Sequence, residues 1–308
     1  AVAFVSKKDI SIDGKLILNG AKGDAKTTPG GGVKGAIKQL GGGAGGFGGA
    51  IGLPGDGPGG GKVRGGGASH GGLGAHGNNN GNLSGKPGDL YGNTRYEVKM
   101  YGGSGGAGGQ SNFRVGSGGA GGGVIQLRAA DSILLGSNSL ISVNGGNGGS
   151  ASAGGGGGSG GTVILKAVSI KNAGAIEGQG GNGGTDPDGS GGGGGGGVVL
   201  FNAETIENTG IIDLAGGSYG YVDEDYAAAK DGVLLLINSF VPGINWELPP
   251  DLTYGQPLSK DQLNATATVE GSFEYDPPLG TYFLAGAHVL KAVFTPADSD
   301  KYQKQTLY

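Results

Sequence analysis

Cysteine is absent from the chain. No disulfide can hold the fold, and the absence is compatible with a bacterial surface or secreted protein. Long apolar runs are absent as well, since none approaches the roughly 20 residues of a membrane-spanning helix. Basic blocks are missing too. No five consecutive Lys or Arg occur, the formal net charge is −4, and the few aromatics are not interleaved with cations. That balance argues against nucleic acid as a partner. Despite the abundance of glycine, no G-x-x-x-x-G-K-[ST] phosphate loop occurs. Arg64, Arg95, Arg114 and Arg128 are scattered, with no carboxylate at a repeating position beside them. The convergence that catalysis requires is therefore lacking, and the chain reads as a non-enzyme. No secretory leader pattern is seen, and the chain opens in the strand-like Ala1-Val2-Ala3-Phe4-Val5. It reads as a mature form or an excised piece.

What is abundant is glycine: 79 of 308 residues, beside 12 prolines. Without a period, that composition would mean disorder. A period exists. The stretch Gly161–Gly184 opens with the alternating Val163, Leu165 and Ala167. Ile170 and Ile176 follow around the turn Asn172-Ala173-Gly174, and the stretch ends almost without side chains. It reads as strand, turn, strand, and then a segment that lets backbones touch. Val199, Phe201, Ala203, Ile206, Gly210, Ile212 and Gly216 repeat this pattern at one offset of 36. Upstream, Ile141 and Gly145–Gly149 match Ile176 and Gly180–Gly184 at an offset of 35, and Val124–Leu127 open that copy. Ile10, Gly14, Leu16, Gly20 and Gly23 fit the same frame, with residues 1–20 resembling one hairpin-like copy that turns at Asp13-Gly14. Val233–Ile237 is a last half-copy. Such a period marks a stacked array in which no copy buries its own apolar face.

Between the first two copies lies a long glycine-rich excursion, Ala21 to Gly123, whose segment Leu90–Tyr101 reads as a short strand or a capping loop. Ordering one residue costs about 1–2 kcal/mol, with glycine at the high end. A net backbone hydrogen bond returns about 1 kcal/mol, and each Cα–H···O contact roughly 0.5–1. The balance is near zero, so glycine runs order only beside something already rigid. In the extended three-fold conformation N–H and C=O point outward, and chains without Cβ atoms can pair in several directions. Polyglycine II segments bundled beside the strands are expected; flexible loops are the alternative.

The runs Gly145–Gly149, Gly154–Gly161, Gly180–Gly184 and Gly191–Gly197 resemble the glycine-rich modules of phage tail-tip adhesins and springtail antifreeze proteins. The resemblance implies polyglycine II bundling through Gly145, Gly146, Gly148, Gly149, Gly180, Gly181, Gly183 and Gly184. The strand-rich repeat departs from the antifreeze pattern, which is nearly all G-x-x. The whole array looks more like the glycine-rich segments of very large bacterial surface proteins.

From Ser239 the composition changes: glycine drops while proline and aromatics rise. Tyr254-Gly255, Gln262-Leu263-Asn264-Ala265-Thr266-Ala267, Phe273-Glu274-Tyr275-Asp276-Pro277, Leu284-Ala285-Gly286 and Phe294-Thr295-Pro296-Ala297-Asp298 with Tyr302 are short alternating segments between turn residues. They read as a β-sandwich. These elements resemble the bacterial immunoglobulin-like repeats of large surface proteins. The last strand, Gln303–Tyr308, stops earlier than in that family, which points to a longer repeat array or to completion by another chain.

Candidate sites are few. Asp186 and Asp188, followed by Gly189, and Asp223 and Asp225, with Glu224 and Asp231 nearby, offer the oxygen ligands that calcium takes. Neither set completes an EF-hand or the nonapeptide calcium repeat, and the alternative is a soluble acidic loop. His70, His76 and His288 lie far apart and read as solvent-facing. Tyr91, Tyr96 and Tyr101, and Tyr219 and Tyr221, form two Tyr-rich loops that could contact glycans or a host surface. The expectation is an all-β chain: a layered array of strands with bundled polyglycine II segments over 1–238, then an immunoglobulin-like β-sandwich over 239–308. Its expected role is an extracellular structural or adhesive module of a bacterial surface protein. Its expected partners are copies of itself or neighbouring repeats, with no nucleic acid, no membrane span and no cofactor beyond calcium. A glycan-binding tip is the rival. Ice binding is a further rival, disfavoured because threonine is sparse in the repeats.

Overall fold

The computed structural model describes residues 1–26, 42–48, 52–79, 82–92, 101–111, 114–185, 189–218, 228–237, 242–247, 251–299 and 302–308. The chain divides into two compact units, Ala1–Leu236 and Ile237–Tyr308. Among the described residues both are all-β, without a helix.

In the first unit four copies each contribute one strand to each of three sheets, and the last half-copy adds a fifth strand to the first sheet. The first sheet holds Val2–Ser6, Val124–Ala129, Thr162–Lys166, Val198–Asn202 and Val233–Ile237, in chain order. The second holds Ile10–Ile12, Ser132–Leu135, Ser169–Asn172 and Thr205–Asn208. The third holds Lys15–Ile17, Leu140–Ser142, Ala175–Glu177 and Ile211–Asp213. Pairing between successive copies is parallel in all three sheets. Residues 1–20 are therefore not a hairpin: their strands pair with the next copy and not with one another. The reason is periodicity, because only stacking brings like apolar positions into register and buries all of them.

Register follows the sequence offsets. Val163 pairs with Val199 and Leu165 with Phe201; Ile170 pairs with Ile206, and Ile141 with Ile176. Period-two alternation turns these residues inward. Ile125, Leu127, Ile133, Leu135, Ile141, Val163, Leu165, Ile170, Ile176, Val199 and Phe201 form one buried core between the three sheets.

Glycine runs leave these strands and assemble beside them. The excursion departs after the first copy and returns so that Val2 pairs with Ile125. Its described runs join the same assembly, including a three-stranded antiparallel sheet of Gly77–Asn79, Asn82–Gly85 and Gly189–Ser190.

The second unit holds two small antiparallel sheets. One pairs Ile244–Asn245 with Thr266–Ala267. The other orders Gly271–Asp276, Lys291–Pro296 and Gln305–Leu307. Phe273 packs on Phe294 with ring centroids 4.8 Å apart, and Trp246 meets Tyr275 edge-on at 5.8 Å.

Candidate functional site

The most elaborate feature of the first unit is its hydrogen-bonded glycine lattice. The run 153–161 shows how it is built. Gly154, Gly157 and Gly160 donate their N–H groups to Gly189, Gly192 and Gly195. Gly155, Gly158 and Gly161 donate to Gly149, Gly146 and Val143. Gly156 and Ser159 donate to Ala107 and Ser104. Carbonyls face three further runs: Gly155 and Gly158 accept from Gly184 and Gly181, Gly156 and Ser159 from Gly119 and Gly122, and Gly157 from Ala68. Every third residue thus addresses the same neighbour, which is the period of an extended three-residue helix. Side chains are excluded by contact. A Cβ on Gly158, Gly181 or Gly183 would fall within 3.0 Å of a neighbouring carbonyl.

Polar side chains lock one copy to the next. Asn19 Oδ1 accepts the backbone N–H of Asn144 at 2.9 Å, and Asn144 Oδ1 accepts that of Gln179 at 2.8 Å. A second ladder runs from Asn147 Oδ1 to the N–H of Asn182, 2.8 Å, and from Asn182 Oδ1 to that of Ser218, 2.9 Å. The sequence signals these ladders only in part: Asn147 and Asn182 recur 35 residues apart within the glycine runs, whereas Asn19 and Asn144 stand 125 apart and the next places are taken by Gln179 and Ser218.

A buried polar knot ties the excursion to the first sheet. His70 is 1 % exposed, not solvent-facing. Its Nδ1 lies 2.7 Å from the Gly160 carbonyl; a carbonyl only accepts, so the proton sits on Nδ1. Its Nε2 lies 3.3 Å from Thr162 Oγ1, and Thr162 donates to the Tyr101 carbonyl at 2.6 Å. The imidazole stacks on Tyr91 at 4.6 Å. Gly92 closes the knot in a left-handed conformation (φ 72°), where a Cβ would come within 3.1 Å of the imidazole. Burial lowers the His70 pKa from 6.5 to about 4, against the opposing effect of the Gly160 hydrogen bond. Burial likewise raises that of Tyr91, while hydrogen bonds to Ser104 and Ser159 act the other way.

Of the sequence-predicted contact residues, Tyr91 is half-buried, its hydroxyl donating to the Gly102 carbonyl at 2.6 Å and lying 2.9 Å from Ser104 Oγ. Tyr101 is 43 % exposed and meets Tyr91 edge-on at 6.2 Å. Tyr96, Tyr219, Tyr221, Asp186, Asp188, Asp223 and Asp225 lie outside the described residues. His76 and His288 are exposed. Among the described residues no group of three or more His, Asp or Glu could hold a metal ion, and no helix is long and apolar enough to cross a membrane. A groove in the second unit is lined by Tyr254, Gln262, Phe283 and His288, with His288 stacked on Phe283 at 4.4 Å.

Comparison with protein-family models, with curated proteins and with solved structures gives no match.

Proposed function

We propose that the first unit is a polyglycine II bundle braced by strands, and that the chain serves as a stiff structural and adhesive module of an extracellular bacterial protein. The alternation of hydrogen bonds along the run 153–161 carries this reading, since three runs accept from it and three donate to it. A sheet resists deformation only along its strands and its hydrogen-bond direction. A lattice bonded to neighbours on all sides resists bending in every lateral direction. The immunoglobulin-like reading of 239–308 rests on the antiparallel pairing of Gly271–Asp276, Lys291–Pro296 and Gln305–Leu307 and on the Phe273–Phe294 contact. Such a unit extends an array whose partners are neighbouring repeats or further copies. Hydrogen exchange combined with a glycan array tests the proposal. Protection across Gly180–Gly184 equal to that of Thr162–Lys166, with no saturable glycan binding, is expected. Exchange in Gly180–Gly184 as fast as in an unfolded peptide removes the bundle. Discrete glycan affinity turns the reading toward a binding tip.

A further inference from the structure

Four Asn–Gly pairs lie within the described lattice: Asn19-Gly20, Asn144-Gly145, Asn147-Gly148 and Asn182-Gly183. A fifth, Asn80-Gly81, lies outside the described residues. The fold compels the pairing at all four. The asparagine supplies the side-chain acceptor of a ladder between copies. The next residue has no room for a Cβ, which would come within 3.0 Å of the backbone of Ala120, Gly158, Gly155 or Gly191, respectively.

Asn–Gly is also the dipeptide most open to self-modification, because glycine does not shield its own nitrogen. That nitrogen, having lost its proton, attacks the asparagine Cγ. A Cγ–N bond forms, the Cγ–Nδ2 bond breaks, and ammonia leaves with a proton from solvent. The resulting cyclic imide takes up one water and opens to aspartate or isoaspartate. No electrons are gained or lost overall.

Both reacting groups are occupied at each pair. The glycine N–H donates to the next copy: Gly20 to Asn144, Gly145 to Gln179, Gly148 to Asn182 and Gly183 to Ser218, at 2.7–2.9 Å. The asparagine Oδ1 is held on a backbone N–H of that same next copy, at 2.8–2.9 Å. Cyclisation requires the carboxamide to turn back over its own chain and the nitrogen to give up its proton, so it requires breaking both bonds.

We propose that Asn19, Asn144, Asn147 and Asn182 are latent self-modification sites, kept unreactive by the lattice and released when it opens. The release is one-way. Isoaspartate adds a methylene to the main chain, which shifts the three-residue repeat and bars the run from its former neighbours.

The test compares the full chain folded and in guanidinium at the same mildly alkaline pH, with isoaspartate mapped at each site by mass spectrometry. Modification at all four sites at least about tenfold slower in the folded chain is expected, as for a reaction that waits on local opening. Comparable rates overturn the proposal. Ser218→Pro removes the N–H that holds Asn182 Oδ1. Isoaspartate at Asn182 should then rise several-fold while Asn144, on the other ladder, stays slow. No rise at Asn182 overturns the role of the ladder. A rise at both sites, with the variant's hydrogen-exchange protection lost, supports release by opening; the same rise with protection intact overturns it.

Discussion

At the scale of single residues, the missing Cβ is the organising fact. Gly183→Ala places a methyl group against the backbone of Gly191, and relief requires moving main chain and not a side chain. Overpacking of this kind costs about 1–3 kcal/mol. A methyl group at Gly14 would meet nothing within 4 Å, so Gly14→Ala should leave stability unchanged or raise it by up to about 1 kcal/mol through the unfolded chain. Denaturant midpoints of the two variants check this, and equal losses would contradict close packing as the reason for glycine. His70 gives the second prediction. Its folded pKa of about 4 lies below the ordinary 6.5, so the folded state binds fewer protons than the unfolded one. Its contribution is complete above about pH 6.5 and is lost as pH falls toward 4, by roughly 3 kcal/mol in total. In His70→Gln the slope of stability between pH 4 and 6.5 should flatten relative to the parent, and an unchanged slope would rule out His70 as its source. Nothing local signals this burial. His70 stands between Ser69 and Gly71, and the groups that enclose it include Gly160, 90 residues away. The glycine columns, by contrast, are legible, because a steric requirement repeated at every copy leaves the same residue at the same offset.

At the scale of elements, the offsets of 35 and 36 residues place the strands in register, because stacked copies share one column per position. Three strands per copy, not two, are harder to see. Ser169–Asn172 and Ala175–Glu177 are separated only by Ala173-Gly174, yet they enter different sheets, and a two-residue gap reads equally as a hairpin turn. The excursion is least legible, since its runs carry no apolar alternation and their partners are set by backbone alone. The columns also show how burial varies at constant chemistry. Phe4, Leu127, Leu165 and Phe201 share one column, with Phe4 43 % exposed and Phe201 fully buried. Phe201→Ala should cost about 3–5 kcal/mol and Phe4→Ala clearly less, since the cavity term applies only where the surroundings are closed. Urea titrations of both variants decide the point; similar losses would mean that Phe4 is also enclosed in solution.

At the scale of the whole molecule, the lattice changes how a stacked array should unfold. In a simple solenoid each copy touches only its neighbours, and terminal copies fray independently. Here the excursion binds distant copies together. Gly72 and Ala75 donate to Gly196 and Gly193, leading into the fourth copy, while Gly43 and Gly46 donate to Gly103 and Gly106, runs that Gly122 and Gly119 join in turn before the second copy. Removing any one copy strips partners from runs far away in sequence. The first unit should therefore melt in one cooperative step despite its repeats. The second unit, Ile237–Tyr308, has its own antiparallel sheets and aromatic contacts and should give a separate transition. Calorimetry of the full chain beside a fragment ending at residue 238 tests both expectations. The fragment should reproduce one of two transitions, with calorimetric and van't Hoff enthalpies equal. A van't Hoff value well below the calorimetric one would show copy-by-copy melting and remove the bracing role of the excursion. A single transition of the full chain that the fragment fails to reproduce would instead make the two units one cooperative body.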